Sequence, residues 1–320
     1  MIPVELTNWT VWGKSWFEDG WEGLRRFCQA HGIAGLELLA SGVSEDTSPP
    51  GELVRGVHLR SIGNWLPLKG VNLREFGHGA ERYANLDGYE TLVGLRAEEL
   101  RQLARLEPDY AIWHANFAPF PEVFTGTPVL SGPEFLGLLA QLVIDVLSEY
   151  NPPFSVCFEN CFGVGLNFDE IDTAKAFLDA MEGLPVGLCL DTGHYLNAHR
   201  ELANPQVACE RLLHVAEGLR GQGVPVQVVH LHWTDPERVP ADIWQTAGSL
   251  VRDAVPSPEF ARQVSGFFLQ CDQHRPLCHP LVGQLLDRLG PNYVVHEMGA
   301  MSLQDHSAWL SAQAGALRGG

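Results

Sequence analysis

The chain has 320 residues, of which 45% are hydrophobic, so it can build a large core and is long enough for a single α/β barrel. Asp and Glu number 39 against 21 Lys and Arg, and the formal net charge is −18 at pH 7. A field of that sign repels polyanions at long range, which disfavours nucleic acid as a partner, although a local cluster of cations would override it.

Eight short apolar runs predict buried strands, and amphipathic segments between them predict helices. In chain order, the predicted strands are residues 2–6, 33–39, 56–59, 110–114, 154–159, 186–191, 226–232 and 293–297. The predicted helices are residues 21–30, 97–106, 133–150, 172–181, 205–219 and 303–314. Almost continuously apolar strands that alternate with helices indicate a parallel sheet covered on its outer face. Eight such units predict an α/β fold of one closed (β/α)8 TIM barrel, with residues 1–320 as a single domain.

Two segments are longer than ordinary barrel connections. Residues 61–87 follow the third predicted strand, and residues 235–266 follow the seventh. Loops that follow barrel strands lie on the catalytic face, so both segments are predicted to be lids or substrate walls, with tolerated insertions as the alternative.

The seven cysteines include no Cys-x-x-Cys pair, and their odd number indicates reduced thiols. The N-terminus has no basic, apolar leader, and no apolar run reaches the ~20 residues of a membrane span. We therefore expect a cytoplasmic protein without a membrane partner. The sequence does not indicate its oligomeric state.

Metal-ligand residue types stand at or just after the ends of the predicted strands. In a barrel these ends meet at one mouth even though they lie far apart in sequence. Imidazole nitrogens and carboxylate oxygens that converge there are the donors of a divalent cation. The candidates are His58, His114, Glu159, Asp191, His194, His232, Asp272, His274 and Glu297.

Three of the candidates are carboxylates that directly follow apolar strand positions. Glu159, Asp191 and Glu297 would each cost several kcal/mol to bury unpaired. Without a cation they would also repel one another at a common mouth, so their coincidence favours a metal site.

The motifs around these residues resemble the xylose isomerase-like barrel superfamily, which includes sugar phosphate isomerases and epimerases and the endonuclease IV type of AP endonuclease family 2. The resemblance covers nearly the whole barrel. It rests on Gly-Val-His-Leu at His58, Ile-Trp-His-Ala-Asn at His114, Phe-Glu-Asn at Glu159, Leu-Asp-Thr-Gly-His at Asp191 and His194, Val-His-Leu-His-Trp-Thr-Asp at His232, and the closing Glu297.

The endonuclease branch implies up to three zinc ions and the hydrolysis of a phosphoester. In that interpretation all nine candidates hold metal, and Glu159, Glu297 and His194 are catalytic. The segment containing Asp272 and His274 resembles the Asp-x-His segment of that branch, but it follows His232 by 40 residues, and Cys278 and Pro280 replace expected glycines. The acidity of the chain favours a small or cofactor-like phosphodiester over duplex DNA.

The sugar isomerases and epimerases of the superfamily imply a different reaction on the same barrel. One Mn or Mg ion would be held by Glu159, Asp191, His232 and Glu297, and the two glutamates would move a proton between neighbouring carbons of a sugar. Arg238 resembles the substrate-binding arginine of ketose epimerases. A third alternative is a barrel that binds without turnover.

Other residues have predicted supporting roles. Trp65 and Trp233 are candidates for stacking on a substrate ring, or they are packing anchors. His230 shares a face with His232 one layer deeper and is expected to orient a ligand carboxylate rather than bind the ion. Asn160 is expected either to orient a neighbouring ligand or to satisfy backbone groups. His296 is expected to point outward toward the helices.

Overall fold

A computed structural model describes residues 1–7, 16–40, 49–61, 65–70, 88–115, 130–162, 165–239, 266 and 270–318, with the backbone alone at residues 5–7 and 67. Eight strands run through this part of the chain. They are β1 (Ile2–Thr7), β2 (Leu36–Leu39), β3 (Val54–His58), β4 (Tyr110–His114), β5 (Ser155–Glu159), β6 (Val186–Asp191), β7 (Val226–Leu231) and β8 (Tyr293–His296). Each pairs in parallel with the next, and β8 pairs with β1. The predicted closed parallel barrel is confirmed.

Helices cover the outside of the barrel. Within the described residues they are α1 (Trp21–His31), α2 (Tyr89–Leu103), α3 (Gly132–Glu149), α4 (Ile171–Asp179), α5 (Thr192–Ala198), α6 (Pro205–Gly221), α7 (Leu281–Leu289) and α8 (Leu303–Arg318). Short 3-10 turns lie at Gly51–Leu53, Leu66–Lys69, Ala104–Leu106 and Pro236–Arg238. Since α3 begins with a capping box between Ser131 and Glu134, its start is fixed by local hydrogen bonds.

Some element boundaries differ from the prediction. β2 begins at Leu36 rather than at residue 33, because Gly32 ends α1 in the left-handed conformation and Ile33 donates its backbone N–H to the Cys28 carbonyl. α2 begins at Tyr89, eight residues before the predicted start. Neither α5 nor α7 was predicted. Residues 192–197 of α5 are all buried, so this helix has no polar face to give a periodic pattern.

Two apolar regions stabilise the barrel. One lies between the sheet and the helices, and the other fills the barrel interior. The interior cluster consists of Val4, Tyr110, Ile112, Cys157, Cys189, Val228 and Val295. It closes the barrel beneath the carboxyl ends of the strands, so a ligand can be held only above it, at the mouth.

The two predicted long loops lie largely outside the described residues. In the first, residues 65–70 are described and include the turn Leu66–Lys69, whereas residues 71–87 are not. In the second loop, residues 240–265 lie outside the described part of the chain. Their roles therefore stay predictions. Among the helices that are described, none is long and apolar enough to cross a membrane.

Candidate metal centre

All nine predicted metal ligands lie at the carboxyl mouth of the barrel, where they form three adjacent groups. β3, β4, β5 and β6 each end on one of them: His58, His114, Glu159 and Asp191. The others follow strand ends or come from connecting segments. Parallel strands in register bring these tips together, for example by pairing His114 with Glu159.

The first group consists of His58, His114 and Glu159. Nε2 of His58 and Nε2 of His114 each lie 3.3 Å from Oε2 of Glu159. The other ring nitrogen of His58, Nδ1, lies 3.1 Å from the Leu59 carbonyl oxygen. Since a carbonyl only accepts, Nδ1 of His58 carries a proton, and in the neutral ring Nε2 is the nitrogen left to offer a lone pair to a cation.

The second group consists of Asp191, His232 and Glu297. Nε2 of His232 lies 3.0 Å from both carboxylate oxygens of Asp191 and 3.5 Å from Oε2 of Glu297. His232 and Asp191 are fully buried, and Glu297 is 7% exposed. The His232 ring packs against Gly193, where a Cβ atom would lie 1.9 Å from Cε1 of the ring. A residue without a side chain is therefore required at position 193.

The third group consists of Asp272, His274 and His232, which it shares with the second group, and His194 lies beside Asp272. Oδ2 of Asp272 lies 2.7 Å from Nε2 of His274 and 3.4 Å from Nε2 of His194. His194 lies near the start of α5, where its backbone N–H donates to Oδ1 of Asp191 over 2.6 Å. Asp191 therefore contributes to the second group and fixes the first turn of the helix that carries His194.

The segment containing Asp272 and His274 returns to the mouth through backbone contacts with the ends of β7 and β8. Trp233 and Arg275 form an antiparallel bridge, with N–H to carbonyl distances of 2.6 and 3.0 Å. The Gly299 N–H donates to the His274 carbonyl, and the Gln273 side-chain amide donates to the Asp235 carbonyl. The 40-residue separation from His232 is thus bridged by a local pairing.

Asn160 holds the end of β6 in place. Its side-chain amide donates to the Asp191 carbonyl over 3.0 Å, and its Oδ1 accepts the Asp191 N–H over 2.8 Å. Nδ1 of His194 lies 2.9 Å from the Asn160 carbonyl oxygen. Asn160 therefore contacts the backbone of one candidate ligand and the ring of another.

The charges at the mouth are balanced by histidine. Among the described residues, every ion pair within 4.0 Å of Glu159, Asp191, Asp272 or Glu297 is with an imidazole. Burial raises the pKa of the Glu159 carboxyl group, but His114, His230 and His194 outweigh it and hold that pKa well below its usual range. Burial also opposes ionisation of Asp272, and His274 and His194 again reverse the effect, so its pKa lies well below its ordinary value. Glu159 and Asp272 are therefore ionised at neutral pH.

The donor set fits divalent cations. Both oxygens of Glu159, Oε2 of Glu297 and Oδ1 of Asp272 are buried without a hydrogen-bond partner in the described part of the chain. Two donors that each lie about 2.0–2.2 Å from one cation at a tetrahedral angle are about 3.3–3.6 Å apart. The separation of His58 and His114 from Glu159 falls in that range, as does that of His194 from Asp272.

The three predicted substrate-binding residues lie elsewhere. Trp65 is 3% exposed and packs in the core, with its ring centroid 6.0 Å from that of Phe135, and Trp233 is 8% exposed in the same core. Both positions support the packing alternative. Arg238 is exposed and pairs with Asp235 over 3.0 Å, so it lies on the surface next to the mouth.

Glu37 is a buried acid of the site that the sequence reasoning missed. It lies on β2, is fully buried, and its carboxylate is 3.2 Å from Nε2 of His230. The available signal was a charged residue inside the apolar run Leu36–Leu39, the same signal that singled out Glu159 and Asp191. His230 is also fully buried, and His296 points outward to Gln313 as expected.

Solved structures with this architecture align over the whole chain. An L-ribulose 3-epimerase covers 99% of this chain and 95% of its own, with a TM-score of 0.53 and 10% sequence identity. Endonuclease IV from Thermus thermophilus covers 100% of both chains, with a TM-score of 0.51 and 16% identity. A probable 3-DHS dehydratase from Bacillus anthracis covers 99% of both, with a TM-score of 0.51 and 12% identity. This chain shares the (β/α)8 barrel fold of these enzymes.

No protein-family model matches the chain, and no curated protein sequence matches it. Identities of 10% to 16% show a shared fold alone. The chemistry of this barrel must therefore be argued from its own residues.

Proposed function

We propose that the chain is a divalent-metal-dependent hydrolase that cleaves a phosphodiester, with zinc as the metal at up to three positions. One observation carries the proposal: several overlapping sets of donors meet at the mouth, whereas a one-metal isomerase would need only Glu159, Asp191, His232 and Glu297. His58, His114, His194, Asp272 and His274 would have no ligand role in a one-metal reaction. A small or cofactor-like substrate agrees with a net charge of −18 better than duplex DNA does.

Each group contributes residues with a defined task. Bound divalent cations would supply a water molecule of lowered pKa and neutralise the charge of a phosphoryl group. Glu159 lies between the groups, since its Oε2 faces His58 and His114 while its Oε1 lies 2.9 Å from Nδ1 of His194. Glu159, Glu297 and His194 are the residues we propose to orient the attacking water.

The proposed substrate approaches from the side of the first and third groups. The side chains of His114 and His274 are 25% and 23% exposed, whereas those of His232 and Asp191 are fully buried. A phosphoryl group that enters the mouth therefore meets the first and third groups before the second.

Elemental analysis of protein purified without chelator, combined with two activity assays, tests the proposal. We expect close to three zinc per chain and hydrolysis of bis(p-nitrophenyl) phosphate, with no cleavage of duplex DNA at physiological salt. Asp272→Ala should abolish hydrolysis and lower the zinc content, whereas Asp172→Ala, which removes an exposed carboxylate on α4, should change neither. Unchanged activity and zinc content in Asp272→Ala would remove Asp272 from the site.

The second candidate function is a one-metal sugar isomerase or epimerase. It is favoured by Glu159 and Glu297, which both face the second group and lie 3.6 and 3.3 Å from the same ring atom, Nδ1 of His230. Two carboxylates on one bound sugar could transfer a proton between carbons. One Mn or Mg per chain, with exchange of a ketose C–H in heavy water, would support this function. Protein that binds no cation would instead support a scaffold without turnover.

A further inference from the structure

Glu37 and His230 form a buried pair directly beneath the three donor groups. Both residues are fully buried, Glu37 on β2 and His230 on β7. Nε2 of His230 lies 3.2 Å from Oε1 and 3.3 Å from Oε2 of Glu37. Neither residue takes part in the reaction proposed above, although a buried carboxylate is costly unless it has a partner.

The contact with Glu37 decides which ring nitrogen of His230 donates a hydrogen bond and which is left with a lone pair. Nε2 lies against both Glu37 oxygens, so in the neutral, metal-bound ring Nε2 is the nitrogen that donates a proton to Glu37. In the neutral ring Nδ1 then holds a lone pair. This atom is buried, has no hydrogen-bond partner in the described part of the chain, and faces the mouth.

The surroundings of Nδ1 have the spacing of a coordination site. It lies 3.3 Å from Oε2 of Glu297, 3.6 Å from Oε1 of Glu159 and 3.6 Å from Oδ2 of Asp191. Most of these separations exceed the usual length of an N–H to oxygen hydrogen bond. They match the separation of about 3.3–3.6 Å between donors on one tetrahedral cation.

His230 also has the outer partner that metal-bound histidines usually have. A ligating imidazole donates its second ring N–H to a carboxylate or carbonyl, which fixes the tautomer. In the first group, His58 does this with the Leu59 carbonyl while its other nitrogen faces Glu159. His230 repeats the arrangement, with Glu37 in place of the carbonyl.

We infer that Nδ1 of His230 is a fourth protein donor to the cation of the second group, and that Glu37 is the positioning residue that holds its ring. The inference rests on the metal binding in the proposed function but not on the hydrolysis. It gives His230 a direct role where the sequence predicted only an orienting one. The cation of the second group would then be held by His230 in addition to Asp191, His232 and Glu297.

Nuclear magnetic resonance of cadmium-loaded protein tests the inference directly. Histidine rings are labelled with ¹⁵N, the protein is loaded with ¹¹³Cd, and the His230 signals are assigned from their absence in His230→Gln. We expect a one-bond ¹¹³Cd–¹⁵N coupling at Nδ1 and a proton on Nε2. In cadmium-loaded protein, either a proton on Nδ1 or an Nδ1 signal without this coupling overturns the inference.

Zinc titration by calorimetry tests the role of Glu37. Glu37→Gln keeps the size of the side chain and removes its charge, so it should weaken the binding of one cation by roughly 10–100-fold. The matched control is Glu99→Gln, which removes a mostly buried carboxylate that pairs with Arg96 on the outside of the barrel. If Glu37→Gln and Glu99→Gln both bind every cation as the unmodified protein does, Glu37 has no positioning role.

The same measurements separate this inference from the proposed function. A coupled Nδ1 in protein that hydrolyses no phosphodiester would refute the hydrolase and leave His230 a ligand. An Nδ1 signal without coupling in a protein that does hydrolyse phosphodiesters would support the hydrolase and refute His230 as a ligand. Protein that binds no cadmium would refute both.

Discussion

At the scale of a single residue, Gly193 determines where the His232 ring lies. A methyl group there would lie 1.9 Å from Cε1 and 2.3 Å from Nδ1 of the ring, far inside van der Waals contact. In Gly193→Ala the ring must move away from Asp191 and Glu297. We expect the affinity for one cation to fall by at least roughly tenfold, the size of effect seen when a ligand loses its orientation. Zinc titration of the variant measures the change.

Gly137→Ala is the matched control for that substitution. Gly137 also lies in a helix, and a Cβ atom there would have no neighbour within 4 Å. Alanine should therefore leave zinc binding unchanged and raise the free energy of unfolding by about 0.5–1 kcal/mol. If the two variants bind zinc equally well, the close contact between Gly193 and His232 does not hold the ligand.

The raised pKa of His274 predicts that metal binding releases protons. Burial lowers the pKa of this imidazole, but the charges of Asp272 and Glu297 outweigh it and raise the pKa to about 10. The metal-free ring is therefore protonated at neutral pH, and since coordination requires the neutral form, the affinity should rise as pH rises toward 10. Calorimetry in buffers of different ionisation enthalpy measures the released protons.

His274→Gln gives the comparison for proton release. This variant lacks the titrating ring, so it should release about one proton fewer per chain on metal uptake at neutral pH. Equal release by both proteins would contradict a protonated His274 in the metal-free state.

At the scale of elements, Gln313 on α8 holds together the parts that carry the third group. This fully buried side chain accepts the Leu277 N–H over 2.7 Å and donates to the Leu231 carbonyl at the end of β7 over 3.0 Å. Gln313→Ala leaves both backbone groups without that partner. Because each unpaired buried group costs about 1–3 kcal/mol, we expect a loss of roughly 2–4 kcal/mol in unfolding free energy and weaker binding at the third group.

Gln206→Ala is the control for Gln313→Ala. Gln206 lies on the exposed side of α6, where its amide bonds Glu210. Its removal should change the free energy of unfolding by at most about 0.5 kcal/mol and leave zinc binding intact. Denaturant unfolding of both variants, with and without zinc, makes the comparison. Equal stability of the two proteins would contradict the role of Gln313.

Elements differed in how well the sequence predicted them. Long amphipathic helices such as α3 and apolar strands such as β6 were placed within a few residues. A helix buried on one side leaves a periodic pattern, and a strand buried on both faces leaves a continuous apolar run. α5 was missed because its residues are almost all buried against the mouth. The pairing of Trp233 with Arg275 could not be predicted either, since it joins segments separated by an insertion and depends on backbone hydrogen bonds.

At the scale of the whole molecule, bound cations should contribute to the stability of the barrel. The buried carboxylates of the mouth come from β5, β6, the end of β8 and the segment after residue 270, so a cation between them links distant parts of the chain. A ligand at a free concentration 100 times its dissociation constant stabilises the folded state by about 2.7 kcal/mol per site. Chelation should therefore lower the melting temperature by several degrees, measured by calorimetry with and without added zinc.

Glu159→Gln supplies the comparison for chelation. It removes the carboxylate that faces His58, His114 and His194, so zinc should stabilise the variant much less than the unmodified protein. If chelation leaves both melting temperatures unchanged, cations do not contribute to the fold.

The sequence alone determined the barrel and the identity of the nine candidate ligands. Apolar strands covered by helices predict a closed parallel barrel, and parallel strands present their carboxyl ends at one mouth. Residues such as His58 and Asp191 could therefore be predicted to lie close together. Tertiary structure alone decided which ligands lie close together, that Gly193 makes room for His232, and that Glu37 contacts His230. The reason is physical: a strand pattern specifies the face on which a side chain lies, but contacts across the barrel depend on register, ring orientation and loop path, which no local pattern records.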